Sequence, residues 1–84
     1  MKYRLIYTQR AAKDIEKLSL GTRKRIGQSL LRYQEEPLKH AVKLTDARLG
    51  TYRFRIGDYR VIFDLRDNDI IVLRVGHRNE IYKR

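Results

Sequence analysis

Six side chains in this 84-residue chain are suited by type and spacing to chemistry on a phosphate: Arg53, Arg55 and Arg60 in one stretch, and His77, Arg78 and Tyr82 in another. Guanidinium groups stay protonated at any usable pH and can hold phosphate oxygens in pairs. An unperturbed imidazole titrates at about 6.5 and a phenol at about 10, so His77 and Tyr82 can move protons where the arginines cannot. Such a set fits cleavage of RNA by the neighbouring ribose 2′-OH. That reaction needs a proton removed, an anionic phosphorane stabilised and a proton supplied to the leaving oxygen. Each residue also has a plainer reading. The arginines could pair with Asp46, Asp58 or Asp64, His77 could be an exposed strand end, and Tyr82 could be an aromatic packed on a sheet.

What is missing narrows the chemistry further. There is no phosphate-binding glycine loop, no Gly-x-Gly-x-x-Gly, no His-x-x-His pair and no serine or cysteine nucleophile arrangement. Asp67-Asn68-Asp69 reads as a turn rather than a calcium loop. No metal and no cofactor is expected. The chain has no cysteine, which rules out a disulfide framework and thiolate zinc sites. Twenty basic residues against ten acidic ones give a net charge of +10 and a pI near 10.3, a field that draws a polyanion or an acidic partner. Met1-Lys2-Tyr3-Arg4-Leu5-Ile6-Tyr7 lacks the apolar core of a signal peptide and no stretch approaches a membrane span, so a cytoplasmic protein is expected.

The elements that must position the candidate residues follow from periodicity. Leu49 to Phe63 reads as a β-hairpin turning at Gly57-Asp58. Period two puts Tyr52, Phe54 and Ile56 on one face of its first arm and Arg53 and Arg55 on the other. In the second arm Tyr59, Val61 and Phe63 are the apolar set, with Arg60 and Asp64 opposite. Residues 2–7 alternate as a strand. Thr8 can cap a helix to about Leu18 with an apolar stripe of Ala11, Ala12, Ile15 and Leu18. After a break at Ser19-Leu20-Gly21, Thr22 can cap a second helix to about Glu36 that buries Ile26, Leu30 and Tyr33 and stops at Pro37. Arg23, Lys24 and Arg25 would then oppose the dipole at the start of that helix, and Glu35 and Glu36 at its end. Residues 37–48 have no clean period and read as a loop. Ile70 to Val75 is the most apolar run and reads as a central strand. One domain over 1–84 is expected, of class α+β and order β-α-α-β-β-β. Its antiparallel sheet, with the last three strands a meander, is covered on one face by a helical hairpin.

Tyr52-Arg53-Phe54-Arg55-Ile56-Gly57-Asp58-Tyr59-Arg60-Val61-Ile62-Phe63 and Val75-Gly76-His77-Arg78-Asn79-Glu80-Ile81-Tyr82 together resemble the RelE/ParE toxin superfamily, and within it the RelE branch. The likeness extends over nearly the whole chain, including Lys43-Leu44 before the hairpin. It implies a RelE-like fold of the microbial-ribonuclease type and a toxin that cleaves messenger RNA in the ribosomal A site. The implied partners are a RelB-like antitoxin and the ribosome with its mRNA and ribosomal RNA. The family's functional positions fall on Arg53, Arg55, Arg60, Arg78 and Tyr82. Better-known members carry lysine at the first two; arginine cannot release its proton, so charge stabilisation rather than base catalysis is expected there. Tyr82 would stack on a base or relay a proton, with His77 or a ribosomal RNA group as other candidates for the proton. Arg23, Lys24 and Arg25 would dock ribosomal RNA. Two other functions stay open: ParE-like inhibition of DNA gyrase by protein contact, and nucleic-acid binding without catalysis.

Overall fold

The computed structural model describes residues 2–46 and 48–82. Strand β1 (Arg4–Tyr7) leads to helices α1 (Gln9–Glu16) and α2 (Leu20–Tyr33) and then to one helical turn, α3 (Pro37–His40). Strands β2 (Ala41–Lys43), β3 (Tyr52–Ile56), β4 (Tyr59–Arg66) and β5 (Asp69–His77) follow. The five strands form one sheet in the order β1-β5-β4-β3-β2. The expected α+β architecture and the antiparallel β3-β4-β5 meander are both present. Strand β1, however, pairs with β5 in parallel, so the sheet is mixed. A parallel neighbour requires a crossover, and α1 and α2 lie in the long connection that leaves β1.

Residues 37–43 are more ordered than their aperiodic sequence suggests. Pro37, whose ring presets a helical φ, opens α3 at its first turn. Ala41–Lys43 then joins the sheet edge, with Val42 opposite Arg53. Three residues are too few to show a period, and β3 rather than local preference makes them a strand.

Both long helices have side-chain caps. Thr8 Oγ1 accepts from the Ala11 amide, as expected for α1. Helix α2 is capped by Ser19, whose Oγ accepts from the Thr22 amide at 3.3 Å; Thr22 is therefore the third residue of the helix and not its cap. Replacing such a cap by alanine typically costs about 1 kcal/mol. The earlier start moves Arg23, Lys24 and Arg25 into the second turn. Because α2 ends at Tyr33, Glu35 and Glu36 lie beyond it, and the expected conflict with the helix dipole disappears.

The core lies between the helices and one face of the sheet. Ala11, Ile26 and Leu30 meet Phe54, Ile56, Val61, Phe63, Ile70, Val72 and Val75, and the Phe54 and Phe63 rings stack 4.2 Å apart. Tyr33 is partly buried against this cluster, as its place on the apolar face of α2 predicts. Helix α1 departs from its expected stripe: it is shorter, Ala12 is exposed, and Asp14 is buried.

A β-bulge shapes the last strand. Ile62 is opposite Arg74 and Phe63 is opposite Val72, so Leu73 has no partner across the ladder. The extra residue changes the parity of β5. Ile70, Val72 and Val75 can therefore share the helix side although the last two are three positions apart. The bulge is fastened from outside. Thr8 bonds the Val72 and Leu73 carbonyls, and Asp14 Oδ2 accepts from Arg74 Nε at 2.8 Å and the Val75 amide at 3.0 Å.

Candidate active site

The face of β3 and β4 turned away from the helices carries the arginines. Arg55 sits directly across from Arg60, and Arg60 across from Gly76 of β5. Gly57 makes the tight turn between the two strands at φ 60°, a conformation glycine adopts without steric cost. Arg60 is 6 % exposed. Its Nη1 donates to the Gly57 and Tyr59 carbonyls, both at 2.9 Å, while its buried Nε has no partner. Burial, and then the charges of Arg55, Arg53 and Arg78, hold this guanidinium below its usual range, opposed by Tyr82.

The turn after β5 folds back over the same face. Ile81 is buried above Gly76, where an added methyl would lie 3.2 Å from Ile81 Cδ1. This places Tyr82 so that its hydroxyl accepts from Arg53 Nη1 at 3.4 Å. Arg78 starts the turn, its amide donating to the Asp58 carbonyl at 2.7 Å and its exposed guanidinium lying 3.8 Å from the Asp58 carboxylate. Arg53, Arg55, Arg60, Arg78 and Tyr82 are thus brought together.

Of the carboxylates that could have neutralised this face, Asp58 reaches only Arg78, and Asp46 and Asp64 are engaged elsewhere. Asp64 accepts from the Thr51 amide at 2.8 Å, Asp46 pairs with Arg48, and Asp58 pairs with Arg78. Among the described residues no salt bridge reaches Arg53, Arg55 or Arg60. The charges of Arg53, Arg55 and Arg60 are therefore held side by side without an acidic partner among the described residues, the arrangement that an anionic ligand relieves.

His77 is not part of this cluster. Its cross-strand partner is Tyr59, and directly opposed residues share a face, so the imidazole lies on the helix side. The two rings meet edge-on at 5.4 Å, and His77 Nδ1 accepts from the Asn79 amide at 3.1 Å. Strict alternation along β5 would have put His77 among the arginines; the bulge reverses it.

Arg23, Lys24 and Arg25 are all exposed but do not form one free patch. Arg23 donates to the Glu16 and Leu18 carbonyls and so closes the end of α1. The Arg25 guanidinium lies against Gly57, where a side-chain carbon would come within 2.6 Å of Nη2.

Asp14 is the functional-site neighbour that sequence reasoning missed. It supports the bulged strand β5, at whose end the Arg78–Tyr82 turn departs. Its signal was present in the chain, since Asp14 falls on the apolar stripe between Ala11 and Leu18, and Arg74 interrupts the apolar run of β5.

Comparison with known proteins places the chain in a family. A family model described as the ParE toxin of a type II toxin–antitoxin system, parDE, matches residues 5–82. Toxin RelG of Mycobacterium tuberculosis is 31% identical over 91 aligned positions that span the whole of both chains. A chain of the M. tuberculosis toxin–antitoxin complex RelBE2 superposes with a TM-score of 0.83 at 27% identity, covering 93% of this chain and 100% of that one. A chain of the archaeal RelE–RelB complex from Pyrococcus horikoshii OT3 gives 0.76 at 26% identity, over 95% and 99% of the two chains. The fold is that of a small type II toxin. The chain belongs to the RelE/ParE superfamily of toxins of type II toxin–antitoxin systems.

Proposed function

We propose that this toxin is a ribosome-dependent endonuclease that cleaves messenger RNA in the A site and so inhibits translation. The observation that carries the proposal is the open face of uncompensated arginines with a tyrosine hydroxyl 3.4 Å from one of them. In this reading Arg53, Arg55 and Arg60 hold the scissile phosphate and stabilise its additional negative charge. Arg78 stabilises the leaving oxygen. The 2′-oxygen attacks phosphorus, the bond to the 5′-oxygen breaks, and a 2′,3′-cyclic phosphate forms. The 2′-hydroxyl proton goes to Tyr82, to water or to a ribosomal RNA group, because arginine cannot accept it, and the leaving 5′-oxygen takes a proton from water.

The natural partner in this reading is a short acidic RelB-like antitoxin, since the RelBE2 and P. horikoshii relatives were solved as toxin–antitoxin complexes. Charge complementarity with a +10 chain would speed association and make it salt-dependent. The family model is described for a ParE toxin, which keeps gyrase inhibition as a second reading.

Induction of the chain in a bacterial cell, beside its Tyr82→Phe variant, separates the readings. Primer extension on a reporter message should show new 5′ ends in register with codons. In single-turnover assays at saturating ribosome the variant should be slower by about 10²- to 10⁴-fold. Growth arrest with intact messages and altered plasmid supercoiling would select the gyrase reading. RNA binding with no cleavage, unchanged by Tyr82→Phe, would leave only a binding domain.

A further inference from the structure

Four consecutive amides open the turn that carries Arg78 and Tyr82, and three of them end on one residue. The Arg78 amide donates to the Asp58 carbonyl. The Asn79 amide donates to His77 Nδ1 at 3.1 Å, and the Glu80 and Ile81 amides to the His77 carbonyl at 2.8 and 2.9 Å. A helical turn begins with N–H groups that lack partners, and a cap residue meets them with its side chain and its own carbonyl. Thr8 does this for α1 and Ser19 for α2 with a hydroxyl oxygen. His77 does it with an imidazole nitrogen, at the junction where β5 gives way to the turn.

We propose that His77 is a positioning residue for the arginine site: it caps the Arg78–Tyr82 turn and takes no part in proton transfer. Its ring faces Tyr59 on the helix side, and the lone pair a base would use on Nδ1 is already engaged by Asn79. Ile81, buried above Gly76, presses the turn against the sheet; His77 sets the direction in which it leaves the strand. Together they determine where Arg78 and Tyr82 stand relative to Arg53 and Arg60.

The proposal rests on the ribonuclease reading for its rate measurement but not for its structural one. His77→Asn retains a short acceptor well suited to capping, whereas His77→Phe keeps a ring beside Tyr59 but has no acceptor. Amide hydrogen exchange in the isolated protein should quicken at Asn79, Glu80 and Ile81 by roughly 3- to 30-fold in His77→Phe, the range expected for a lost cap. In His77→Asn it should stay near wild type. Single-turnover cleavage at saturating ribosome should fall in His77→Phe, with ribosome affinity retained, and recover in His77→Asn. Protected amides in both variants with cleavage lost in both would make the imidazole a chemical group and overturn the proposal. Unchanged exchange in His77→Phe with full cleavage would overturn it equally, by showing that the turn needs no cap. If the wild-type chain cleaves no message, the ribonuclease reading fails while the exchange data still decide the cap.

Discussion

On the helix side of the sheet Phe54, Val61, Phe63, Ile70 and Val72 are fully buried and touch one another and the helices. On the opposite side the same strands present Arg53, Arg55 and Arg60, with no acidic partner among the described residues. Alternation makes the two faces inseparable, because each residue added to the core obliges its neighbour to face the other way. The core side stabilises: a fully buried large apolar side chain contributes about 1.5–3 kcal/mol relative to exposure. The arginine side costs stability, since desolvating a cation among like charges is unfavourable. A protein selected for stability alone would have no use for Arg60 where it stands. The contrast is what separates the scaffold from the candidate site in this chain.

The sharpest test of the contrast is one substitution on each face. Phe54→Ala should lower unfolding free energy by about 3–5 kcal/mol. Urea titration measures this directly. It would remove much of the about 4–12 kcal/mol expected for a domain of this length. Arg60→Met should behave in the opposite way. Under the ribonuclease reading cleavage should fall by about 10²- to 10³-fold, while the urea midpoint holds or rises by the equivalent of about 1–2 kcal/mol. A clear loss of stability in Arg60→Met would mean that its bonds to the Gly57 and Tyr59 carbonyls outweigh the charge penalty, and the two faces would not be opposed.

Asp14→Asn tests the fastening between the faces. The carboxylate joins α1 to the Arg74 side chain and the Val75 amide, and hydrogen bonds to a charged group contribute about 1.5–3 kcal/mol. Stability should drop within that range. Exchange should quicken at Val75 and in the following turn, which lies on the arginine side. If only helix-side amides respond, the bulge does not couple the faces.

The smallest effect concerns Tyr7, which lines an apolar cavity of about 230 Å³ with Ile15, Leu18, Ile26 and Leu30. Burial pushes its phenol pKa up. In the unfolded chain the phenol ionises at about 10, while in the folded chain it remains neutral. The stability present below that pH is therefore lost as pH rises through it. Tyr7→Phe should flatten the fall of Tm on the alkaline side of about pH 10. The shift should be slight because Tyr7 is 42% exposed. An unchanged alkaline slope would assign that fall to other groups.

Several features were legible in the amino-acid sequence because they depend on near neighbours. Period two in Tyr52-Arg53-Phe54-Arg55-Ile56 separates core from arginines without reference to anything distant. Gly57 at the turn is equally local, as is the helical spacing that buries Ile26 and Leu30. The same alternation singles out Arg53, Arg55 and Arg60 as candidates, whereas Arg78 and Tyr82 follow from their spacing near the chain's end and the family likeness. Ser19 and Thr22 could each cap a helix, and their own identities do not choose between them. The choice falls to Ser19 where α1 has ended at Glu16 and Arg23 can close its last carbonyls.

The side of the sheet on which His77 lies was decided by tertiary structure alone. Alternation counted from Ile70 carries His77 to the arginine face, and one unpaired residue at Leu73 returns it to the helix face. That bulge is held by Thr8 and Asp14, both about 60 residues earlier in the chain. The burial of Arg60 depends in the same way on Gly76 across the ladder and on the returning turn with Ile81. A short-period pattern is a property of adjacent residues and can be read from them. A change of register is a property of two segments fitted together, and it exists only once the chain has brought them into contact.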